Sequence, residues 1–463
     1  MEKLEHGTST ENTISRRRFL SGAAAVAATV TVVPRHVLGG PGYKAPSDTL
    51  NIACIGVGGK GFSDTLGVSG ENIVALCDVD EARMAEFRER NADRPEVLAW
   101  FDKAKKYQDY RRMLEENKKT IDAVTVSVPD HSHAAAAMMA VRMGKHAFVQ
   151  KPLTHTVHEA RELARAAKKA GTVTQMGNQG HAGEGARLVN EWVADGAIGA
   201  VTEVHCWTNR PVWPQGVEAP TETPSVPPTL DWNLWIGPMK WRPYHPAFSH
   251  FVWRGWYDFG TGVVGDMGAH IMDIPYWALD LEYPDTVQAV STRLYEESYP
   301  LASIITYTFP ERNGHPPVTL KWYDGGMMPD RPEAMEPGRM MGDSEGGVLM
   351  IGDKGMLMCG CYGRSPRLVP ETAMQAYAKP ERTIPRSPGI QEEWIEAIKK
   401  GGKSTTDFSY SAPLTETMLL GNIAIRMKEK NTILEWDGKK GEITNLPEAN
   451  EFLHIPYREG WTL

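Results

Sequence analysis

The stretch Asn51-Ile-Ala-Cys-Ile-Gly-Val-Gly-Gly-Lys-Gly61 combines a short apolar strand with glycines at positions 56, 58 and 61. This G-x-G-x-x-G spacing, between a strand and a helix, is typical of folds that bind a dinucleotide. The first glycine permits a tight turn, the second lets the backbone approach a pyrophosphate, and the third lets the helix pack against the strand. Free N–H groups at the start of the helix face the phosphates. The predicted cofactor-binding residues of this loop are Gly56, Gly58, Gly59, Lys60 and Gly61.

An acidic residue follows the glycine loop at the distance that this fold requires. The second apolar run, Ile73–Cys77, ends directly before Asp78, about twenty residues beyond the loop. A carboxylate at this place can accept hydrogen bonds from both hydroxyls of the adenosine ribose, and it would repel a 2′-phosphate. We therefore predict that Asp78 binds the cofactor, and that NAD is preferred over NADP.

Length and composition fit a globular protein with two domains and argue against a nucleic-acid partner. The 463 residues suffice for two sizeable cores, and 41% hydrophobic and 23% charged residues are ordinary for a globular protein. A net charge of −8 argues against a nucleic-acid partner, and no run of Lys or Arg forms a basic stripe. The five Cys are too few and scattered for a disulfide framework, and no His accompanies Cys359-x-Cys361. We predict no metal site.

Residues 1–47 are predicted to be an export signal followed by a Pro/Gly linker. Ser15-Arg16-Arg17-Arg18-Phe19-Leu20 matches the twin-arginine pattern, and an Ala-rich apolar run from Gly22 to Val33 follows it. That run is too short to span a bilayer and no Cys follows it, so we expect no stable membrane anchor. The twin-arginine machinery carries folded proteins, which would let a tightly bound nucleotide reach the periplasm. The alternative is a disordered basic tail.

The pattern from residue 48 to residue 178 predicts a doubly wound parallel sheet, because apolar strands alternate with amphipathic helices. The predicted strands are Leu50–Ile55, Ile73–Cys77, Ala123–Val128, His146–Val149 and Val173–Met176. The predicted helices between and after them are Glu81–Asn91, Gln108–Leu114, His133–Met143 and Val157–Ala170. This fold class is α/β, with a Rossmann domain over residues 48–178.

Residues 179–463 predict a second, α+β domain with a mainly antiparallel open sheet, because strands follow one another there without helices between them. After a helix at Gly183–Asp195, the predicted strands are Val201–Thr208, Thr286–Leu294, Ser303–Phe309, Val318–Tyr323 and Gly347–Met358, the last with a hairpin turn at Asp353-Lys-Gly355. A final helix, Ala412–Lys428, is expected to pack back on the first domain.

Two short segments carry side chains suited to proton and hydride chemistry. Lys151-Pro152 directly follows a strand of the parallel sheet, at whose carboxyl edge ligands bind, although a surface lysine would give the same pattern. Asp266 and His270 are four residues apart and share one helix face, where a carboxylate and an imidazole can bind a hydroxyl and accept its proton. An incomplete metal ligand set and a stabilising surface pair are the alternatives for Asp266 and His270.

The glycine loop, Lys151-Pro152 and Asp266-x-x-x-His270 together resemble the Gfo/Idh/MocA oxidoreductases, the family of glucose-fructose oxidoreductase and inositol dehydrogenase. The resemblance covers roughly residues 48–463, and Trp253–Gly262 is similar to exported members with a twin-arginine signal. It implies catalytic roles for Lys151, Asp266 and His270, and a homo-oligomer formed through the open sheet. One position departs from the family, because Gln150 replaces its usual Glu and so removes a charge beside Lys151.

The resemblance also implies further contacts around the cofactor and the substrate. Pro129 and His131 lie on the loop that passes the nicotinamide half, and His133 opens the next helix as a cap or a ribose contact. The alternative is that both histidines are ordinary loop residues. Asn178 and His181 are expected to line the cleft between the domains and to contact substrate. In the Trp-rich stretch from Arg210 to Trp256 we expect most Trp to fill the core, and only Trp253 and Arg254 to contact substrate.

These observations lead to one principal function and two alternatives. The principal prediction is an NAD(P)-dependent oxidoreductase that transfers a hydride between the cofactor and a sugar, glycoside or sugar-derived polyol. The first alternative is a glycosidase or lyase that oxidises a ring hydroxyl transiently, cleaves the glycosidic bond by elimination, and returns the hydride. The second is a non-catalytic sugar or nucleotide sensor, which the complete set Lys151, Asp266 and His270 disfavours.

Overall fold

The computed structural model describes residues 48–463, so the predicted signal and linker at 1–47 lie outside the described residues. Within the described part, the first sheet has the strand order β3-β2-β1-β4-β5-β6, and all its neighbouring strands are parallel. Its strands are β1 (Asn51–Ile55), β2 (Asn72–Cys77), β3 (Lys105–Tyr107), β4 (Ala123–Val126), β5 (His146–Val149) and β6 (Thr174–Met176). The predicted doubly wound parallel sheet is confirmed.

Six helices accompany this sheet: α1 (Lys60–Gly67), α2 (Glu81–Glu89), α3 (Pro95–Lys103), α4 (Tyr110–Glu116), α5 (Asp130–Arg142) and α6 (Val157–Ala170). Successive residues of β1 enter two different cores, Ile52 and Cys54 on one face and Ala53 and Ile55 on the other. Burial of both faces explains why the strands read as continuous apolar runs. Helix α6 begins at a capping box of Thr156 and Glu159, which satisfies backbone N–H groups of its first turn.

The second sheet has nine strands in the order β13-β12-β11-β7-β10-β9-β8-β14-β15. They are β7 (Val201–Thr208), β8 (Thr286–Ser291), β9 (Ser303–Phe309), β10 (Val318–Tyr323), β11 (Gly346–Gly352), β12 (Gly355–Gly360), β13 (Arg367–Val369), β14 (Leu434–Asp437) and β15 (Glu442–Ile443). Only β7 and β10 pair in parallel, and the other neighbours are antiparallel. The predicted mainly antiparallel sheet is thus confirmed, including the hairpin turn before Gly355.

One face of the second sheet carries helices. The helices of this part are α7 (Glu184–Ala194), α8 (Trp232–Ile236), α9 (Gly262–Ile271), α10 (Asp273–Ala278), α11 (Glu371–Ala376), α12 (Ile390–Lys400) and α13 (Phe408–Arg426). Along β9, Ile305 and Tyr307 are fully buried toward the helices, whereas the alternating Ile304 and Thr306 are only half-buried. The outer face at this end of the sheet is therefore open, and Val290 on β8 is 58% exposed.

Two C-terminal helices return to the first sheet. Trp394 of α12 is buried against Phe148 of β5, with 5.8 Å between ring centroids. Helix α13 contacts α6 and β6 of the first domain as well as α9, β8 and β9 of the second. The contact with α6 includes an ion pair between Arg161 and Glu416 at 2.6 Å. The expected packing of the last helix on the first domain is confirmed, while the division of the chain at residue 178 stays a prediction.

Local details differ from the sequence prediction where short elements or caps decide the structure. Helix α5 begins at Asp130, three residues before the predicted start at His133, because Pro129 is an extended cap and Asp130 lies in the first turn. Helix α3 and the three-residue strand β3 escaped prediction, since so short a strand shows no periodicity. No helix among residues 48–463 has the length and apolarity needed to cross a membrane.

Candidate active site

The glycine loop has no room for a side chain at Gly56 or Gly61. Gly56 has a φ of 82°, and a Cβ at this position would lie 2.3 Å from the carbonyl oxygen of Ser127. A Cβ at Gly61 would lie 2.1 Å from the carbonyl oxygen of Gly56, so the start of α1 packs directly against the loop. This tight turn in front of a helix N-terminus suits the pyrophosphate of a dinucleotide.

Asp78 lies beside the loop and is already hydrogen-bonded to it. Its Oδ2 accepts hydrogen bonds from the backbone N–H groups of Val57, at 3.0 Å, and Gly58, at 3.2 Å. Its Oδ1 accepts one from the N–H of Asp80 at 3.1 Å. Asp78 therefore stabilises the loop, and the predicted ribose contact would use the lone pairs that these three bonds leave.

A cavity of about 350 Å³ extends from the loop to residues of the second domain. The predicted residues that line it are Gly56, Gly58, Gly59, Lys60, Asp78, Pro129, His133, Lys151, Trp253 and Arg254. Residues from both domains thus enclose one space, which is large enough for much of a nucleotide or sugar.

Lys151 and Arg254 line the cavity and both contact the carboxylate of Asp266, whereas Asp266 itself and His270 are not among the residues that line it. The Nζ of Lys151 donates to the Oδ1 of Asp266 and to its backbone carbonyl, each at 2.8 Å. The Nε of Arg254 lies 3.0 Å from the same Oδ1. Burial alone would raise the pKa of Asp266, but Lys151 and Arg254 outweigh it and hold that pKa below its ordinary value. Asp266 is therefore an ionised group that holds two cations in place.

His270 is buried one helical turn beyond Asp266 on α9. Burial, and then the charge of Lys151, lower its pKa well below the ordinary value. Its ring lies 4.6 Å from that of Tyr362, and its Nδ1 has no hydrogen-bond partner within residues 48–463. An imidazole that stays uncharged at neutral pH can accept a proton.

Asp130 is a cavity-lining carboxyl that sequence reasoning did not single out. Its Oδ2 accepts hydrogen bonds from the Oγ1 of Thr261, at 2.6 Å, and from the N–H of Thr261, at 3.1 Å. Burial raises the pKa of Asp130 to about 7, although the bond from Thr261 opposes this shift. Because Thr261 caps α9, Asp130 connects the first domain to the helix that carries Asp266 and His270. The sequence signal that points to Asp130 is its position in Val128-Pro129-Asp130-His131, directly after a predicted strand of the parallel sheet.

The two predicted loop histidines lie inside α5 and contact backbone. The ring nitrogens of His131 lie 3.1 and 2.9 Å from the carbonyl oxygens of Phe259 and Trp235, and the residue does not line the cavity. A direct cofactor contact through His131 is therefore not supported, because helix α5 turns this side chain into the core. His133 lines the cavity, but its nitrogens lie 2.8 Å from the carbonyl oxygens of Pro152 and Val128.

Asn178 and His181 do not line this cavity. Asn178 is fully buried, and neither atom of its amide has a hydrogen-bond partner within residues 48–463. The Nδ1 of His181 lies 3.0 Å from a carboxylate oxygen of Asp273, and its ring stacks on Trp277 with 4.0 Å between centroids. The structure thus brings together Lys151, Asp266, Arg254 and the glycine loop, and places Asn178 and His181 in buried positions outside the cavity.

Residues 229–254, which we name the cover segment, connect the second domain to the edge of the first sheet. The N–H of Glu81 donates to the carbonyl of Thr229, and the N–H of Asp231 to that of Val79, both at 2.9 Å. The Nε2 of His250 lies 3.4 Å from Asp80. The cover segment contributes Leu234, Trp235, His250, Phe251, Trp253 and Arg254 to the cavity wall.

The Trp-rich stretch mostly fills the core, as predicted. Its buried members are Trp213, Trp232, Trp235, Trp253 and Trp256, whereas Trp241 is 57% exposed. The guanidinium of Arg254 lies 4.3 Å above the ring of Trp253 and 4.8 Å from that of Phe251. Within residues 48–463, no cluster of three or more His, Cys, Asp or Glu is arranged to hold a metal ion.

The fold and the cavity define a two-domain oxidoreductase of the NAD-binding Rossmann class. Residues 50–178 match the family model described as the oxidoreductase family with an NAD-binding Rossmann fold, and residues 190–311 match the model of its C-terminal alpha/beta domain. The chain belongs to the Gfo/Idh/MocA oxidoreductase family. Membership confirms the predicted enzyme class and NAD as the predicted cofactor.

Curated relatives and solved structures are similar to parts of this chain. A glycosyl hydrolase family 109 protein of Shewanella sp. (strain W3-18-1) is 30% identical over 208 residues, which are 40% of this chain and 44% of that protein. The α-N-acetylgalactosaminidase of Shewanella oneidensis is 29% identical over the same length. The chain thus matches less than half of these relatives' length.

Solved structures show the same fold at low identity. Aldose-aldose oxidoreductase from Caulobacter crescentus, complexed with glycerol, is 15% identical with a TM-score of 0.55, covering 84% of this chain and 100% of that one. The WlbA dehydrogenase from Bordetella pertussis, in complex with NADH and UDP-GlcNAcA, is 13% identical with a TM-score of 0.54, covering 84% and 99%.

Proposed function

We propose that this protein is an NAD-dependent enzyme that oxidises a hydroxyl group of a sugar, glycoside or sugar-derived polyol. The observation that carries the proposal is the 2.8 Å contact between Lys151 and Asp266 at the cavity that begins at the glycine loop. It joins the carboxyl edge of the first sheet to the helix that carries His270. The sugar-processing relatives support the choice of substrate class.

Each residue of the site has a distinct part in this proposal. When bound, NAD supplies the hydride acceptor. The uncharged imidazole of His270 accepts the proton of the substrate hydroxyl, and the Nζ of Lys151 stabilises the negative charge that develops on its oxygen. Asp266 holds Lys151 and Arg254 in position through its Oδ1. The aromatic face of Trp253 suits the C–H surface of a sugar ring.

A second candidate function is glycoside cleavage with transient oxidation of the sugar. The similarity to glycosyl hydrolase family 109 proteins favours it. The cover segment favours it too, because a cofactor enclosed by hydrogen bonds between the domains exchanges slowly and is best used when the hydride returns to the sugar. In this version a ring carbon would give a hydride to NAD, and the ketone formed would acidify the neighbouring C–H. Loss of that proton would expel the aglycone, after which water would add to the unsaturated ketone and the hydride would return.

One experiment tests both candidates. The purified protein, with its bound NAD quantified by mass spectrometry, is incubated with a panel of glycosides and free sugars. Reduced cofactor together with a keto-sugar supports the oxidoreductase, and released sugar without net NADH supports the glycosidase. Lys151→Ala and His270→Ala are expected to keep NAD and lose at least about 100-fold in turnover. Lys354→Ala, in the exposed hairpin turn, is the matched control. Unchanged turnover in both site variants contradicts the assignment.

We further propose export to the periplasm by the twin-arginine machinery, as in the exported subgroup of the family. The motif Ser15–Leu20 supports this proposal. Replacement of Arg16 and Arg17 by Lys should retain the protein in the cytoplasm with its NAD still bound, as measured by cell fractionation. Periplasmic recovery of this variant would contradict the proposed route.

We also propose that the open face of the second sheet forms a homo-oligomer interface. The exposed Val290 and half-buried Ile304 on neighbouring strands support it. Val290→Glu should shift the sedimentation coefficient toward a smaller species, while Val226→Glu, at an exposed loop position outside the sheet, serves as the control for added charge. A monomeric parent protein would refute this interface.

A further inference from the structure

A fully buried carboxylate lies directly beneath the cofactor cavity. Asp64, on α1, has no exposed surface and accepts hydrogen bonds from four side chains. Its Oδ1 accepts from the Nζ of Lys60 at 2.5 Å and the Nε2 of Gln391 at 3.0 Å. Its Oδ2 accepts from the Oγ of Ser127 and the Nε2 of Gln150, both at 2.8 Å. Each oxygen is thus fully used, and every partner acts as a donor.

Three of these four donors also line the cofactor cavity: Lys60, Ser127 and Gln150. They come from the glycine loop and from the carboxyl ends of β4 and β5. Lys151, which contacts Asp266, is the next residue after Gln150. Asp64 therefore connects the segment that receives the cofactor to the segment that carries Lys151.

The hydrogen bond from Gln150 to Asp64 also explains why Gln150 stands where the family usually has a Glu. A Glu at 150 would place a second carboxylate about where the Gln150 amide now donates, 2.8 Å from Asp64, with no hydrogen atom between the two oxygens. Two carboxylates so close cannot both be ionised. An amide at 150 is compatible with an ionised Asp64, and a carboxylate is not.

We propose that Asp64 is a positioning residue that carries the buried negative charge beneath the cofactor cavity, and that Gln150 is its neutral partner. The negative charge that a Glu at position 150 would supply is carried instead by Asp64 on α1, which accepts a hydrogen bond from Gln150. There it orients Lys60 at the glycine loop and Gln150 beside Lys151. This inference rests on NAD binding and not on the sugar chemistry of the proposed function, so it is tested without substrate.

The test is to exchange the carboxylate of Asp64 with the amide of Gln150. Gln150→Glu, Asp64→Asn and the double variant that carries both changes are compared with the parent protein. The measurements are NAD bound per chain after purification and the rise in unfolding temperature when NAD is added to the stripped protein. Each single change should lower bound NAD by about tenfold, one by opposing two carboxylates and the other by removing the charge that orients Lys60.

The double variant decides the outcome, because it restores one carboxylate and one amide in the reverse order. It should recover to within about threefold of the parent protein, which is a coupling that independent sites do not show. Losses that simply add, or a Gln150→Glu variant equal to the parent protein, would overturn the proposal.

Two further variants distinguish the effect of a charge at position 150 from the loss of its hydrogen-bond donor and from a general effect of an added carboxylate. Gln150→Met removes the donor without adding charge and should retain more NAD than Gln150→Glu. Gln288→Glu, on an exposed strand position, controls for a new carboxylate elsewhere. If Asp64→Asn does not fold, folding of the double variant supports the exchange, and its failure to fold counts against it.

Discussion

Arg254 and Asp266 form an ion pair with 3.0 Å between Nε and Oδ1, and Lys151 donates to the same oxygen at 2.8 Å. One carboxylate thus binds two cations that line the cavity. Arg254 comes from the cover segment and Lys151 from the first sheet, so the pair connects both to α9. The arrangement gives Arg254 a part in holding the site that is separate from any contact with substrate.

Loss of Arg254 should therefore lower turnover more than cofactor content. Arg254→Ala leaves Asp266 paired with Lys151 alone and removes the cation that covers Trp253. We expect turnover to fall by about 10- to 100-fold, measured on the substrate found in the glycoside screen. Arg293→Ala, which breaks an exposed pair with Glu218, is the matched control and should behave as the parent protein. Equal turnover in the two variants would show that Arg254 is dispensable.

The glycine loop should not accept a methyl group at Gly61. The added Cβ would lie 2.1 Å from the carbonyl oxygen of Gly56, a backbone atom that cannot move away without opening the turn. Gly61→Ala should lose bound NAD and at least about 1–3 kcal/mol of stability, measured by NAD content and urea unfolding. No atom lies within 4 Å of the corresponding position at Gly70, so Gly70→Ala is the control. NAD retained at the parent level by Gly61→Ala contradicts the assigned packing.

Acid should destabilise the protein through its buried histidines. Burial lowers the pKa of His131 and of His133 to about 4, from about 6.5 in the unfolded chain. The unfolded state therefore binds more protons between those values, and stability is lost as pH falls from about 6.5 to 4. His131→Gln should reduce the slope of unfolding free energy against pH in this window by up to about one proton, measured by urea unfolding. A slope identical to that of the parent protein would show that His131 does not contribute.

Asp130 should produce the opposite trend over an overlapping range. Burial raises its pKa to about 7, whereas an unfolded Asp titrates near 3.9. Its contribution is present below about pH 4 and is lost as pH rises through 7. Asp130→Asn keeps an oxygen for Thr261 but cannot ionise, so its stability should fall less than that of the parent protein between pH 5 and 8. Asp102→Asn, an exposed position, is the control, and parallel curves for parent and Asp130→Asn would contradict this assignment.

The cover segment should slow the exchange of the cofactor. His250→Ala removes the contact with Asp80 at 3.4 Å, a half-exposed pair of modest strength. We expect NAD to dissociate up to about fivefold faster, followed by fluorescence after transfer into cofactor-free buffer. His315→Ala, in a loop remote from the cavity, serves for comparison. A rate that does not change would mean that His250 does not help to enclose the cofactor.

Sequence reasoning found the parts of the site whose residues lie close together along the chain. The glycine loop and the Asp266–His270 pair each occupy a single turn, so spacing alone reveals them. The order of strands and helices likewise predicted both sheets, but not β3, β13, β14 or β15, because strands of two to four residues show no period. His131 lies inside α5 rather than on a loop because this helix begins at Asp130, and its cofactor contact stays a prediction.

Contacts between distant residues could not be predicted in this way. Asp64 and Gln150 are 86 residues apart, and Asp130 and Thr261 are 131 apart. Each of these pairs crosses between elements whose relative placement depends on the packing of both cores. Nothing in the sequence around Asp64 or Gln150 indicates that their side chains form a hydrogen bond with each other. The charge beneath the cavity is visible only when the chain has folded.

The long helix α13 has a mechanical consequence. It contacts α6 and β6 on one side and α9, β8 and β9 on the other, and Arg161 and Glu416 bind it to the first domain. Helix α13 therefore couples the two sheets, and a hinge motion that separated them would break the largely buried ion pair between Arg161 and Glu416. We therefore expect the cofactor to exchange through local rearrangement of the cover segment rather than through separation of the two domains.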